Sequence, residues 1–94
     1  MSAILITELV VQPDKIEHAL AYLRDMQADV HANEPYTGFY QMYRRQERPN
    51  EFFVVEVFEN EEGKLAHLAR HSYRTPEFDK FLAQPAIKNE VDEI

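Results

Sequence analysis

The distribution of apolar side chains predicts two strands that are covered on both faces. Residues 51–58 read EFFVVEVF, an apolar run rich in β-branched and aromatic residues and too short for a free-standing helix. Both alternating sets of positions in this run are apolar, and the same holds for residues 3–12, AILITELVVQ. A strand that is apolar on both faces is normally covered on both faces. Each run carries one carboxylate inside its apolar pattern, Glu56 in the first and Glu8 in the second.

The rest of the pattern predicts two helical regions and two further strands. Pro13-Asp14 is typical of a helix start, and apolar positions then recur at helical spacing towards Asn33. Residues 38–45 form a third strand that pairs with residues 51–58 through a polar turn. Asn60 is a suitable N-cap for a second helical region, which restarts at Thr75-Pro76. The final strand is predicted within residues 87–94. The predicted buried positions of the second helical region are Leu65, Leu68, Ala69, Phe78, Phe81 and Leu82.

The resulting order, β-α-β-β-α-β, is that of an α+β, ferredoxin-like split βαβ fold with an antiparallel sheet. Residues 1–94 are expected to form a single domain. Both helices lie on one face of such a sheet, so the other face needs a second covering. We therefore expect a homodimer that packs sheet against sheet. The predicted dimer core is Leu5, Leu9, Val11, Phe53, Val55 and Val57.

Composition excludes several classes of partner and chemistry. The net charge of -7 disfavours nucleic acids and anionic membranes as partners. The chain contains no cysteine, which excludes disulfides, thiolate nucleophiles and zinc–thiolate sites. No apolar run is long enough to span a bilayer and the N-terminus has no signal-peptide pattern, so the cytoplasm is the default expectation.

The two strand carboxylates are the first candidates for chemistry. In this fold the first and third strands are neighbours, and Glu8 and Glu56 are both assigned to the helix-facing side, within cross-strand reach. Two carboxylates in a low-dielectric pocket cannot both ionise cheaply, which would poise one of them as a general base. The alternative is structural, with each glutamate paired to an arginine or hydrogen-bonded to a buried amide.

His67 and His71 are the second pair of candidates. They are four residues apart on one predicted helix, a spacing that can hold a metal ion. No HExxH pattern accompanies them and no third ligand is evident, so no metal is expected. Two interpretations remain, namely a hydrogen bond or proton supplied to a pocket, and ordinary packing or exposure.

Aromatic residues are abundant for a chain of this length. Those expected to hold a planar substrate ring near Glu56 are Phe52, Phe58, Tyr73, Phe78 and Phe81. The alternative for most of them is packing in the core or in the dimer interface.

In order and spacing these motifs resemble the antibiotic biosynthesis monooxygenase (ABM) domain family. The matching positions are Glu8, Pro13-Asp14, Glu34-Pro35 before Gly38, Glu56 with Phe58, His67-Leu68, and Thr75-Pro76-Glu77-Phe78. The resemblance implies a dimeric α+β barrel with a pocket between sheet and helices. It also implies oxidation of phenols or quinols to quinones by O2, without metal or flavin.

The family also includes haem-degrading enzymes and an isomerase acting on a phosphorylated autoinducer. The haem-degrading branch uses Asn, Trp and His where this chain has Glu8, Phe58 and a residue near Leu82, so haem degradation is not expected. The family's usual histidine before Ser/Thr-Pro corresponds to Ser72, with His71 one position away.

The sequence therefore predicts a small oxygenase that needs no cofactor and acts on an aromatic substrate. Glu8 or Glu56 would take the substrate proton, with His67 or His71 assisting. The alternatives are an isomerase that moves a proton next to a carbonyl, and a non-catalytic ligand-binding dimer.

Overall fold

A four-stranded antiparallel sheet forms the frame of the protein in a computed structural model that describes residues 2–72 and 75–94. The strands are β1 (Ala3–Val10), β2 (Thr37–Arg44), β3 (Glu51–Phe58) and β4 (Ile87–Val91). Their order across the sheet is β2-β3-β1-β4. The helices are α1 (Ile16–Asn33), α2 (Glu61–His71) and α3 (Thr75–Asp79), with a 3₁₀ turn (Pro13–Lys15) before α1. This arrangement confirms the predicted α+β, ferredoxin-like class.

The helix ends follow from local chemistry. The first α-helix ends where the backbone N–H of Glu34 donates to the carbonyl of Val30 at 2.9 Å, directly before Pro35. The second begins with the predicted cap, since the side chain of Asn60 accepts a hydrogen bond from the backbone N–H of Gly63 at 2.9 Å. No helix within the described residues is long and apolar enough to cross a bilayer.

The register of the sheet decides which side chains face the helices. Leu5 lies opposite Glu56, while Glu8 lies opposite Phe53. Thus Glu56 points towards the helices and is buried, whereas Glu8 lies on the other face. The prediction that the two carboxylates share a face is wrong, because both alternating sets of β1 are apolar and the alternation alone could not orient that strand.

The same reversal corrects half of the predicted dimer core. Leu5, Leu9 and Val11 are buried on the helix side of the sheet, in the hydrophobic core of the protomer or beside it. The predicted face of β3 is confirmed, since Phe53, Val55 and Val57 alternate with buried neighbours and lie on the outer face, while their place in a dimer core stays a prediction. The outer face also carries apolar residues from the other strands, namely Ile4, Ile6, Val10, Phe39, Tyr43, Ile87 and Val91.

The second helix turns a polar stripe towards the protein interior. Leu65 and Leu68 are 57% and 36% exposed and Ala69 is exposed, so the prediction of this stripe as buried is wrong. The buried residues of α2 are instead Gly63, Lys64, His67 and His71. The predicted apolar positions after this helix are confirmed. Phe78 is buried, and Phe81 and Leu82 are partly buried and pack against the core.

Candidate active site

A cavity of about 140 Å³ lies between the sheet and the helices. Its walls are mainly apolar and come from all four strands, from α1 and α2 and from the segment around α3. Its lining residues are Leu5, Thr7, Leu9, Tyr22, Leu23, Met26, Tyr40, Val54, Glu56, His67, Leu68, His71, Phe78, Asp79, Ala86 and Lys88. An apolar cavity bordered by a few ionisable groups is the usual form of a small-molecule site.

Four buried ionisable residues meet beside this cavity, and three different elements bring them together. Glu56 comes from β3, His67 and His71 lie one turn apart on α2, and Glu34 directly follows α1. Their exposed fractions are 5% for Glu56, 4% for His67, 6% for His71 and 3% for Glu34. Such groups are rarely buried unless they are paired.

The four residues form a continuous hydrogen-bonded chain, which we call the Glu–His chain. His67 Nε2 lies 2.9 Å from Glu56 Oε1, and His67 Nδ1 lies 2.7 Å from Glu34 Oε1. The second oxygen of Glu34 continues the chain, since Oε2 lies 2.6 Å from His71 Nε2. Glu56 and His71 border the cavity, whereas Glu34 does not.

Glu34 is stabilised as an anion by hydrogen bonds from β2 and α2. Its carboxylate also accepts a hydrogen bond from Thr37 Oγ1 at 2.8 Å and one from Arg70 at 2.6 Å. Arg70 is itself held by Asp29 at 3.0 Å. Burial favours the neutral acid, but the hydrogen bonds from His67, His71 and Thr37 outweigh it and lower the pKa of Glu34.

His67 is held as a cation between two carboxylates. Each of its ring nitrogens contacts a carboxylate oxygen, and an ionised carboxylate can only accept, so the doubly protonated ring satisfies both contacts. Burial disfavours that cation, yet the hydrogen bonds and charges of Glu56 and Glu34 outweigh it and raise the pKa of His67.

His71 carries a basic nitrogen that makes none of the contacts within the Glu–His chain. Its Nδ1 is buried and has no hydrogen-bond partner among the described residues. Because Nε2 faces the anionic Glu34, we assign the proton of the neutral ring to Nε2, which leaves the lone pair on Nδ1. The ring of His71 borders the cavity, which makes it a candidate base for the site.

The structure places the remaining predicted site residues at different distances from the cavity. Phe78 lines it, and Phe58 packs against the ring of His67 with centroids 5.2 Å apart. Phe52 belongs to the core, and Phe81 packs edge-on against Phe78 at 5.9 Å. Glu8 lies on the opposite face of the sheet, where its carboxylate accepts a hydrogen bond from Asn89 at 3.2 Å. Tyr73 lies outside the described residues.

Glu34 is the residue that sequence reasoning missed. The sequence places it only in the Glu34-Pro35 motif at a helix end, and its partners on α2 are 33 and 37 residues away. One local signal was available, since an acidic residue at the C-terminal end of a helix is disfavoured by the helix dipole. Such a residue needs a compensating partner, and here the compensation comes from α2.

The same residues also meet a geometric criterion for a metal site. One ligand atom from each of Glu34, His67 and His71 lies within 4.8 Å of the others, which supplies the third ligand that the sequence lacked. However, both histidines already hydrogen-bond to Glu34, and Arg70 donates a further hydrogen bond to the same carboxylate. The geometry fits a hydrogen-bonded chain, and the expectation that no metal binds stays a prediction.

The fold and site define a small α+β protein with a buried acid–base chain beside an apolar cavity. The family model described as antibiotic biosynthesis monooxygenase matches residues 2–84. The chain therefore belongs to the ABM family. No curated protein matches the chain.

Solved structures support the same fold. Rv0793 from Mycobacterium tuberculosis is 14% identical with a TM-score of 0.91, and the match covers 100% of this chain and 96% of that one. A conserved protein from Methanosarcina mazei Go1 gives the same identity and TM-score, covering 100% of this chain and 94% of its own. A structure described as an antibiotic biosynthesis monooxygenase is 21% identical with a TM-score of 0.87, covering 100% and 99%. At these identities the likeness concerns the fold.

The two shifted pKa values predict how stability depends on pH. The raised pKa of His67 gives a contribution that is complete below its ordinary value of 6.5 and is lost as pH rises through the folded-state pKa. The lowered pKa of Glu34 gives a contribution that is complete above 4.5 and is lost as pH falls through its folded-state pKa. Urea unfolding across pH should therefore show the greatest contribution between these values.

His67→Gln is expected to remove most of the alkaline part of that dependence, because Gln has no proton to lose in this range. If the variant lost stability between neutral and alkaline pH as steeply as the original protein, His67 would not be the cation described.

Proposed function

We propose that the protein is a monooxygenase that needs no cofactor and oxidises a phenolic or quinol-type substrate with O2. The observation that supports it best is the ring of His71, which borders an apolar cavity and whose buried Nδ1 has no hydrogen-bond partner among the described residues. A base placed there removes a proton from a phenol or from an acidic C–H next to it. Family membership supports the use of O2, while the residues supply binding and acid–base chemistry.

The reaction balances without another reductant. Loss of a proton gives a substrate anion, which passes an electron to O2, and the resulting radicals join in a C–O bond. The peroxide anion so formed takes up one proton, and the resulting hydroperoxide loses hydroxide together with its C–H proton, as water, to leave the quinone carbonyl. A phenol with a para C–H plus O2 thus gives a quinone plus water, and each product contains one of the two atoms of O2. The Glu–His chain returns the proton that the peroxide anion takes up.

The cavity size favours a substrate with one aromatic ring. Its volume of about 140 Å³ is close to that of an apolar cavity of about 150 Å³ known to bind benzene. Tyr22 and Phe78 have ring centroids 5.3 Å apart and line the same cavity, so they can contact the faces or edges of a bound ring. Phe52, Phe58 and Phe81 would support these walls from behind.

Oxygen uptake tests this proposal. The purified protein would be supplied with single-ring phenols, catechols and hydroquinones, and the products would be examined after reaction under ¹⁸O2. We expect uptake above the spontaneous rate and one ¹⁸O atom in the quinone. Uptake that ends in hydrogen peroxide without label in the product would contradict a monooxygenase.

One observation favours an isomerase as the second candidate. Glu56 and His71 border the same cavity, so a proton can be removed from one atom of a carbonyl substrate and returned to another. Such a reaction needs no O2. Turnover that proceeds equally fast under argon would identify it. Ligand binding without turnover would support the remaining alternative, a non-catalytic ligand-binding dimer.

We also propose that the protein is a homodimer of single-domain protomers joined through the outer face of the sheet. Val55 lies in β3, on the apolar outer face of the sheet. No described segment covers this face. Val55→Asp should therefore convert the protein to a monomer, because a buried carboxylate without a partner is costly. Light scattering after size-exclusion chromatography measures the mass.

The matched control is Leu65→Asp, which changes an exposed leucine on α2 in the same way. It should leave the mass at that of two chains. An original protein with the mass of one chain, or a Val55→Asp variant that keeps the mass of two, would rule out this interface.

A further inference from the structure

Glu34 joins His67 and His71, which both border the cavity, although it does not border the cavity itself. We propose that Glu34 and His67 form a proton relay between His71 and Glu56. The proposal deepens the function proposed above, since it states how a proton taken from the substrate at one point becomes available at the other.

The contact distances allow the transfer without movement of heavy atoms. The three links of the Glu–His chain measure 2.6, 2.7 and 2.9 Å, all within normal hydrogen-bond range. When the substrate proton reaches Nδ1 of His71, the hydrogen on Nε2 moves to Glu34 Oε2. The hydrogen shared by Glu34 Oε1 and His67 lies on Nδ1 after the transfer, and the hydrogen on His67 Nε2 moves to Glu56.

Protons balance over the cycle. One proton enters at His71 and one leaves from Glu56. Each imidazole then has one N–H, and Glu34 holds the proton that the His67 cation has lost. In the oxidation, the proton leaving Glu56 converts the peroxide anion of the substrate to the hydroperoxide, so the product water contains it. The reverse series of shifts, in which a solvent proton enters at Glu56 and the proton on Nδ1 of His71 leaves to solvent, restores the starting arrangement.

Hydrogen bonds and charges around Glu34 hold the middle of the relay in place. Arg70 and Thr37 donate to Glu34, and Asp29 holds Arg70 and lies 3.7 Å from Nε2 of His71. Asp79 and Lys88 border the cavity and are the other charged groups lining it among the described residues. Glu34 is thus a positioning residue whose two oxygens face the two histidines.

Kinetics give the first test. His67→Gln keeps a hydrogen-bonding side chain between the carboxylates but cannot pass a proton, so kcat should fall about 100-fold while KM stays within about threefold. His67→Ala should be rescued by added imidazole and not by pyrazole, a ring of the same size that is too weak a base to be protonated near neutral pH. Equal rescue by both rings, or an unchanged kcat in His67→Gln, would overturn the relay.

A second test does not depend on turnover, and so it separates failure of the relay from failure of the proposed oxidation. The pH midpoint of the His71 Nδ1 resonance is measured by ¹⁵N NMR in the original protein and in the Glu56→Gln variant. A relay predicts a shift of at least about 0.4 pH unit, the lower limit for residues of one network. In the His67→Gln background the shift should disappear, and Glu59→Gln, an exposed control, should cause none. A shift that persists without His67 would mean direct electrostatics and would overturn the relay.

Discussion

Glu34→Gln is expected to lower the free energy of unfolding by about 3–5 kcal/mol, the usual result of removing one partner from a buried ion pair. Glu34 is 3% exposed and accepts hydrogen bonds from His67, His71, Arg70 and Thr37. The amide would leave the His67 cation without one of its counter-charges and would turn an N–H group towards a donor. Urea denaturation between pH 4.5 and 6.5 measures the change.

Glu17→Gln is the matched control for this substitution. Glu17 lies exposed in the first turn of α1, so its replacement should change stability by no more than about 0.5 kcal/mol. If Glu34→Gln stayed within the same narrow range, the Glu–His chain would contribute nothing net to stability. Its retention would then need a purely functional explanation.

His71→Gln should reduce kcat/KM by about 10²–10⁴-fold, the range typical of losing a general base. The Gln side-chain amide can still donate to Glu34 from the position of Nε2, so the hydrogen bond that holds the chain together is retained. What the variant lacks is the basic Nδ1 beside the cavity. Steady-state oxygen uptake with the best substrate of the panel gives the comparison.

Glu8→Gln is the control for activity. Glu8 was a sequence-based candidate for the base, but it lies on the face of β1 opposite to Glu56. We expect its replacement to leave kcat/KM within about twofold, since Glu8 does not line the cavity and Gln keeps an oxygen that can accept the hydrogen bond from Asn89. A large loss in Glu8→Gln together with full activity in His71→Gln would reverse the assignment made here.

Much of the fold could be predicted because the strongest signals are local. The run from Glu51 to Phe58 predicts β3 with its bounds and its outer face, and Asn60 predicts the start of α2. The orientation of β1 could not be predicted in the same way. Both of its alternating sets are apolar and each contains one polar residue, Thr7 or Glu8, so only the pairing with β3 decides which set faces the helices.

The candidate site was less predictable because its central contacts are not local. Helical periodicity favours Leu65 and Leu68 as the inner stripe of α2, yet the helix presents His67 and His71 to the interior. What turns the helix is a carboxylate that follows α1, and no pattern within α2 reports its presence. The sequence could name His67, His71 and Glu56 as candidates, but not the residue that links them.

The most direct measurement of the central claim is the protonation of each histidine nitrogen by ¹⁵N NMR of the unliganded protein near pH 6.5. We expect both nitrogens of His67 to carry hydrogen, and the neutral form of His71 to carry its hydrogen on Nε2 with Nδ1 bare. A neutral His67, or a His71 with its hydrogen on Nδ1, would contradict the Glu–His chain as described and remove the base from the proposed mechanism.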